Sequence, residues 1–352
     1  MSEGKVRIGI VGVGWWAAAN HLPILMARPD VELVGVCRLG RDELAKVQQT
    51  FGIPYGTESY EELLETVPMD AMIVASPHRL HGAQTLQALE KNLHVLVEKP
   101  MTVDADEARA IVTLAAARQR HVVVPYGWNF RPYFAEARRL VAEGQIGTIR
   151  HISAVMASPI GELMSGQQMP GTEHELFRPN PETWANPQNG GYGWGQLVHL
   201  LGGMFYLADL APERVFAFTG KSELGADLFN SVSLQFAGGA TAALSGAATV
   251  PDGKPFQLDL RLYGSEGMLL LDVERERCVI QRLDGTEIVV PVAPGDGAYA
   301  CIEPVNRFVD LCKGLAVENA GPALVGARAV EVVAAMLRSA KSGNAEPSRR
   351  RD

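Results

Sequence analysis

The sequence has few cysteines, and none of them is placed for a metal cluster or a disulfide framework. Four cysteines among 352 residues stand at positions 37, 278, 301 and 312, without a C-x-x-C pair. Zinc-binding and disulfide-rich modules depend on closely or regularly spaced cysteines. We therefore expect no metal site and no disulfide, with the thiols buried as small apolar groups in a reducing compartment.

A long apolar run and an excess of positive charge are also missing. The longest stretch without a charged residue, 184–208, is interrupted by Asn, Gln, His and Gly, unlike a membrane-spanning helix. Acidic residues outnumber basic ones by 40 to 32, so the net charge is -8, and we expect neither a nucleic acid nor a membrane partner. The N-terminal residues lack the basic and apolar regions of a signal peptide, which favours a cytoplasmic location.

The length and the apolar pattern predict two domains of an α/β protein. Up to residue 125, short apolar strands alternate with helical patterns, as in a doubly wound parallel sheet covered by helices on both faces. Beyond it, strands separated by tight turns such as Gly238-Gly239 indicate a mainly antiparallel sheet with a few helices. We predict a dinucleotide-binding Rossmann domain at 1–125, a second α/β domain at 126–341 and a frayed tail at 342–352.

The first predicted strand, 6–11, is followed directly by a G-x-G-x-x-A motif. In this position the first glycine allows a tight turn, the second lets the backbone approach a pyrophosphate, and the alanine lets helix and strand pack closely. The helix that follows offers free N–H groups to the phosphates. The motif therefore predicts a dinucleotide site, whose candidate cofactor-binding residues are Gly12, Gly14, Trp15 and Trp16.

The residues after the second predicted strand bear on the choice between NAD and NADP. An acid there normally accepts hydrogen bonds from the ribose 2′-hydroxyl of NAD. Here the strand is followed by Arg38 and Arg41, with no carboxylate before Asp42. Two arginines suit a 2′-phosphate through charge and bidentate geometry, although they are also consistent with solvated surface residues or with stacking on adenine. The sequence predicts NAD(P) as the cofactor and favours NADP.

A lysine stands at the C-terminal end of the predicted strand 94–97, where parallel sheets open their ligand crevice. Side chains alternate along a strand, so Glu98 should point away from Lys99 and act as an anchor. A free lysine titrates too high for acid–base chemistry at neutral pH, and burial beside an oxidised nicotinamide would lower the pKa of Lys99. The alternative is a surface lysine at a strand end.

Four features of the sequence are informative in combination: the glycine motif, the Glu98-Lys99-Pro100 triplet, the Ser-Pro-His-Arg-Leu-His segment at 76–81 and a glycine-rich helix carrying His199. Together they resemble the Gfo/Idh/MocA family of sugar and inositol oxidoreductases. The resemblance extends over nearly the whole chain. It implies a Rossmann domain followed by an α/β domain with a large open sheet, often used for oligomerisation, so we expect a homodimer or homotetramer. It also implies that Lys99 is the catalytic lysine, with a cis peptide before Pro100, and that His199 assists substrate binding or proton transfer.

Two positions depart from the family pattern. The family commonly has an aspartate four residues before the histidine, where this chain has Gly195, so a polar contact or an acid–base partner is absent. On a regular helix Gln196 shares the face of His199 and is a candidate replacement. His78 stands where the family usually has asparagine, and is expected to face the nicotinamide or to cap the following helix.

Several further candidates lie near these motifs. We expect Ser76, Pro77 and His81 on the cofactor side of the crevice, with helix capping as the alternative for His81. Trp128 and Asn129, after the first domain, are candidates for stacking on a sugar and contacting a hydroxyl, or else for packing a hinge.

The stretch 157–189 shows little regular pattern and is long for a loop, so we interpret it as a lid or subunit arm. His174 and Arg178 are its candidate substrate ligands, together with Trp184. Arg178 would favour an anionic sugar if it reached the cleft, and a salt bridge to Glu173 or Glu175 is the alternative.

These observations predict reversible hydride transfer between the nicotinamide and a ring carbon of a sugar, glycoside or cyclitol. Lys99 would exchange the hydroxyl proton, with His199 beside it. A redox-neutral glycoside hydrolase or epimerase, acting through a transient keto-sugar, is the second hypothesis. A cofactor-sensing regulator without enzymatic activity is the third.

Overall fold

The computed structural model describes residues 4–251 and 253–349, which form two compact units. The first unit contains the chain up to Pro125 together with Gln168–Asn180 and Cys301–Ala327. The second contains Tyr126–Gln167, Pro181–Ala300 and the chain from Arg328 onward.

The first unit is built on a six-stranded parallel sheet. The strands are β1 (Val6–Val11), β2 (Val31–Cys37), β3 (Tyr55–Thr57), β4 (Ala71–Val74), β5 (His94–Val97) and β6 (Val122–Val123). Their order is β3-β2-β1-β4-β5-β6, so the direction of strand addition reverses between β1 and β4. All four residues of β4 are buried because both faces of the sheet are covered. The reversal marks the edge at which open α/β sheets bind their ligands.

At least one helix of the first unit begins at a side-chain cap. Asp104 accepts hydrogen bonds from the N–H groups of Asp106 and Glu107, which starts the helix that precedes β6. The helices are a π-helical turn (Ala17–His21), α1 (Leu22–Met26), α2 (Arg41–Phe51), α3 (Tyr60–Thr66), α4 (His81–Glu90) and α5 (Ala105–Arg118). The sequence patterns did not predict β3 or α3, since both are short and neither has a clear apolar period.

The second unit contains a nine-stranded, mainly antiparallel sheet, as predicted. Its strands are β7 (Ile149–Ala157), β8 (Pro212–Lys221), β9 (Asp227–Phe236), β10 (Thr241–Ala247), β11 (Gln257–Gly264), β12 (Gly267–Asp272), β13 (Arg277–Arg282), β14 (Glu287–Val290) and β15 (Glu346–Pro347). The order is β14-β13-β12-β11-β7-β10-β9-β8-β15, and only the central β7–β10 pair is parallel within the described strands. Buried and exposed residues alternate along β9 and β10, so one face is covered and the other is open.

Helices of the second unit pack on the covered face of this sheet. They are α6 (Pro132–Ala142), α7 (Gly161–Met164), α8 (Pro181–Trp184), a π-helical turn (Gly193–Leu197) and α9 (Val198–Leu207). The chain continues with α10 (Ile302–Cys312), which belongs to the first unit, and α11 (Ala323–Ser342), which begins in the first unit and ends in the second. Every residue of α9 is buried, in keeping with its apolar sequence.

The C-terminal segment is more ordered than the frayed tail expected from sequence. Glu346 and Pro347 pair with β8, and Ser348 donates a backbone hydrogen bond to the carbonyl of Glu213 at 2.9 Å. Strand pairing therefore fixes the chain up to this point, whereas residues 350–352 lie outside the described part.

Candidate active site

The glycine turn after β1 is closed on one side and open on the other. Gly12 has φ of +83°, and a Cβ added to it would lie 2.3 Å from the backbone nitrogen and Cα of Ser76. A Cβ added to Gly14 would meet nothing within 4 Å. The first glycine therefore permits the tight turn, and the second leaves backbone accessible to a pyrophosphate.

We expect the two glycines to respond differently to substitution. Gly12→Ala places a methyl group against backbone in a left-handed conformation, and should lower the free energy of unfolding by about 2–4 kcal/mol and weaken cofactor binding. Gly14→Ala should keep the stability but raise the NAD(P) dissociation constant, because its methyl group would occupy the space for the pyrophosphate. Thermal unfolding and calorimetric titration would measure both. Equal melting temperatures for wild type and Gly12→Ala would contradict this interpretation.

Two buried donors near the turn lack acceptors. Trp15 Nε1 and Arg38 Nε have no hydrogen-bond partner within residues 4–251 and 253–349. The Nη1 of Arg38 donates to the carbonyl of Val13, and burial lowers the pKa of Arg38. Buried donors normally find partners, so this side of the turn fits a ligand rich in phosphate and ribose oxygens, such as a nicotinamide dinucleotide.

The other predicted cofactor contacts differ in exposure and packing. Trp16 packs edge-on against Trp15, with ring centroids 5.4 Å apart. Arg41 is exposed, and its Nε lies 3.7 Å from the Glu58 carboxylate. The side chain of Arg41 therefore already faces a negative charge next to the end of β2.

His81 connects two segments at the carboxyl edge of the sheet. Its ring nitrogens lie 2.7 Å from the carbonyl oxygen of Pro100 and 2.6 Å from that of Ser76. Burial lowers the pKa of His81, against the opposite effect of the two carbonyl groups. The His81 ring thus fixes the backbone on either side of the crevice instead of capping α4, whose first turn has no side-chain cap.

The neighbours of His81 complete this part of the site. His78 lies in a one-turn 3-10 helix that begins after Pro77, and its ring meets that of His81 edge-on at 5.8 Å. The hydroxyl of Ser76 donates to Oε1 of Gln84 at 2.5 Å.

Lys99 lies two residues after the end of β5, is 9% exposed and precedes a cis peptide to Pro100. Burial lowers the pKa of Lys99, although the nearby charge of Glu98 acts in the opposite direction. A lowered pKa makes a buried lysine at the carboxyl edge of a parallel sheet a better candidate for proton exchange than an exposed lysine.

Glu98 is held beneath Lys99 by a residue that sequence reasoning missed. His21 Nε2 lies 2.8 Å from Oε1 of Glu98, and the backbone N–H of Lys99 donates to Oε2 at 3.1 Å. Burial alone would raise the pKa of Glu98, but the hydrogen bond and charge of His21 outweigh it and lower the pKa. The sequence signal was a histidine in the otherwise apolar helical segment that follows the glycine turn.

In the second unit, His199 lies at the centre of an aromatic cluster. Its ring meets Tyr126, Trp128 and Tyr299 edge-on, with centroid distances of 6.1, 5.8 and 5.0 Å. His199 is 5% exposed, and Trp128 is fixed by a hydrogen bond from Nε1 to the carbonyl of Gly297 at 2.9 Å. Sequence analysis did not predict Tyr299, because the loop before α10 has no pattern that signals function.

Asn129 is buried beside this cluster. Its Nδ2 donates to the carbonyl of Gly202 in α9 at 3.2 Å. The contact joins Asn129 to the helix that carries His199.

The helix before His199 is not regular, so regular helical spacing does not place Gln196 on the same face as His199. Residues 193–197 form a π-helical turn, so the i, i+4 spacing of a continuous α-helix does not apply there. Gln196 is buried within this turn at 8% exposure.

Other side chains already occupy the space beside Gly195, where the family commonly has an aspartate. A Cβ added to Gly195 would lie 2.8 Å from Cζ3 of Trp184 and 2.8 Å from Cε of Met164. The aromatic ring of Trp184 therefore fills the space that a side chain at 195 would take, and this position presents an apolar surface.

Arg178 forms its contacts within its own loop. Its guanidinium donates to the hydroxyl of Thr172, the carbonyl of Met169 and the carboxylate of Glu173 at 3.2, 3.1 and 3.3 Å. The salt bridge that the sequence analysis named as the alternative is thus present. His174 is exposed in the same loop.

Two kinds of feature are absent from the part of the chain that the structure describes. Within residues 4–251 and 253–349, no helix has the length and apolar character needed to cross a membrane. In those same ranges, no three His, Cys, Asp or Glu side chains cluster in a way that could hold a metal ion. All four cysteines are free thiols.

The parallel sheet and the glycine turn are those of a dinucleotide-binding oxidoreductase. Residues 6–126 match the family described as "Oxidoreductase family, NAD-binding Rossmann fold", and residues 134–270 match the "GFO/IDH/MocA C-terminal domain". The chain therefore belongs to the GFO/IDH/MocA family.

Its relatives include named sugar enzymes. The dTDP-3,4-didehydro-2,6-dideoxy-alpha-D-glucose 3-reductase of Saccharopolyspora spinosa is 30% identical over 76% of this chain and 74% of its own length. The D-glucoside 3-dehydrogenase of Escherichia coli is 28% identical over 42% of each chain. For several curated relatives the chain spans about half of their length.

The fold also matches solved structures. The crystal structure of GenD2 from gentamicin A biosynthesis, in complex with NAD, is similar with a TM-score of 0.76 at 20% identity, covering 99% of this chain and 97% of that one. At this identity the similarity shows the fold.

Proposed function

We propose that this protein transfers a hydride reversibly between a nicotinamide cofactor and a ring carbon of a sugar, glycoside or cyclitol. The observation that carries the proposal is the buried Lys99 at the carboxyl edge of the Rossmann sheet, with its pKa lowered by burial. In the oxidation direction neutral Lys99 takes the hydroxyl proton, and the nicotinamide, when bound, accepts the hydride. His199 is proposed to bind a hydroxyl group of the sugar.

The names of the relatives suggest which carbon reacts. Both the Saccharopolyspora reductase and the Escherichia coli dehydrogenase carry position 3 in their names. We propose carbon 3 of a pyranose as the first position to test. The aromatic surfaces of Trp128 and Trp184 would suit the apolar face of such a ring.

The preference between the two cofactors is also a proposal. Arg38, with its buried unpaired Nε, and Arg41 favour the 2′-phosphate of NADP. Glu58, which pairs with Arg41, weakens that charge argument. We propose NADP, and a lower dissociation constant for NAD would overturn the preference.

The proposed reaction can be tested with a panel of glucosides, deoxysugars, uronates and inositols. Each is incubated with oxidised NADP or NAD, and the keto products with the reduced cofactors. We expect stoichiometric formation of reduced nicotinamide with at least one pyranoside, and mass spectrometry of borodeuteride-trapped product would locate the oxidised carbon. Cofactor binding without turnover across this panel would contradict the proposal and favour a sensor.

A redox-neutral hydrolase or epimerase is the second candidate, favoured by the apolar surface at Gly195 in place of an acid. It would cleave or epimerise the sugar with catalytic cofactor and without net reduced nicotinamide. Product analysis in the same incubations separates the two reactions.

We further propose that the protein is a cytoplasmic homodimer or homotetramer. The open face of the nine-stranded sheet exposes Phe218 and Phe229, which are 67% and 45% exposed, along with Val155 at 38%. Light scattering of the purified protein would give the subunit number.

A further inference from the structure

The loop 168–180 brings an aromatic side chain to an arginine of the proposed cofactor site. Arg38 follows β2, the strand end at which Rossmann proteins bind the adenosine ribose. Its guanidinium carbon lies 3.9 Å from the ring centroid of Phe177, within the range of a cation–π interaction. The same guanidinium donates to the carbonyl of Val13 in the glycine turn.

A second cation holds the same part of the loop. Lys46 on α2 donates from Nζ to the carbonyl of Leu176 at 3.2 Å, and Nζ lies 5.5 Å from the Phe177 centroid. Arg38, after β2, and Lys46, on α2, therefore both contact the Leu176-Phe177 dipeptide of the loop.

The loop that presents this dipeptide has its own internal bonds. Arg178 bonds to the hydroxyl of Thr172 and the carbonyl of Met169, and that hydroxyl donates to the same carbonyl at 2.7 Å. These contacts fix the backbone on both sides of the dipeptide and limit the positions that Phe177 can take.

The stacking and the contact with Val13 leave one donor of Arg38 without an acceptor. One face lies on Phe177 and Nη1 is bonded to Val13, whereas the buried Nε has no hydrogen-bond partner in the described part of the chain. A phosphate is the acceptor that suits an arginine edge best. The orientation of this edge depends on Phe177.

We propose that residues 168–180 form a clamp at the adenosine end of the cofactor site, in which Phe177 positions Arg38 to bind the 2′-phosphate of NADP. Phe177 is thus a positioning residue that acts through Arg38, and Lys46 holds the loop in place. The proposal rests on the proposed function in requiring a nicotinamide dinucleotide at the glycine turn.

The test is calorimetric titration of wild type and variants with NADP and with NAD. We expect Phe177→Ala to raise the dissociation constant for NADP about tenfold and that for NAD by less than about twofold. Lys46→Met should act in the same direction with a smaller effect. Phe177→Tyr keeps the aromatic face and should restore NADP binding, while Glu175→Ala, an exposed change in the same loop, is the matched control.

Each other outcome has a defined meaning. Equal losses for NADP and NAD in Phe177→Ala, or no change in either, would overturn the clamp while leaving the oxidoreductase intact. Tighter binding in Phe177→Ala would overturn it too, because Phe177 would then compete with the cofactor. A wild type that binds NAD but not NADP would also overturn the clamp, whereas one that binds neither cofactor would overturn the proposed function. Unchanged melting temperatures across the variants separate positioning from misfolding.

Discussion

Replacing Lys99 with alanine is expected to lower kcat by about 10²- to 10⁴-fold, the usual contribution of a positioned acid–base group. The physical reason is that Lys99 is buried near the carboxyl end of β5, where we propose that it exchanges the hydroxyl proton, and alanine cannot take a proton. Steady-state kinetics with the substrate found in the panel would measure the loss. Cofactor affinity should change much less than kcat.

The pH dependence gives an independent check on Lys99. Burial lowers its pKa, so in the oxidation direction activity should rise with pH through a pKa below that of a free lysine. In the reduction direction the protonated form of Lys99 is required, so activity should fall as pH rises through the same pKa. Lys99→Ala should abolish this limb, whereas the exposed control Lys91→Ala should keep it. Near-normal turnover in Lys99→Ala would rule out the acid–base role.

Replacing His21 with alanine is expected to lower the free energy of unfolding by about 3–5 kcal/mol, the typical cost of leaving a buried ionised partner alone. Glu98 is 7% exposed, and His21 supplies the side-chain contact to its Oε1. Chemical unfolding of the two proteins would measure the difference. His174→Ala, which changes an exposed histidine, should stay within about 0.5 kcal/mol of wild type.

The His21–Glu98 contact also predicts how stability responds to acid. The pKa of Glu98 is lowered in the folded protein, so its contribution is present above the unfolded-state pKa and is lost as pH falls through the folded-state value. The stability difference between wild type and His21→Ala should therefore shrink in that acidic window. A difference that is constant with pH would show that the contact contributes by packing alone.

The predictable features of the site were those set by residues close together in sequence. The glycine turn could be located because a strand, two glycines and a helix follow one another directly. Lys99 could be placed at a sheet edge because the apolar run of β5 ends two residues earlier. Short elements such as β3 and the π-helical turns carried no comparable signal, since a few residues give no period.

Contacts between distant residues could not be read from the sequence. His21 and Glu98 are 77 positions apart, and neither has a neighbour in sequence that indicates the other. The same holds for Trp184, whose ring fills the space beside Gly195, and for Phe177, which stacks on Arg38. The sequence predicted a lid or subunit arm at 157–189 but did not indicate which residues this loop contacts.

The sequence by itself determined the two-domain α/β architecture and the positions of the glycine turn, of Lys99 and of His199. These features follow from local periodicity, turn chemistry and the ends of apolar runs, which act over a few residues. Only the tertiary structure decided that Glu98 is held by His21, that Arg38 stacks on Phe177 and that Trp184 covers Gly195. Such contacts depend on how separate segments pack, because close packing and the pairing of buried polar groups select partners in space, whatever their order along the chain.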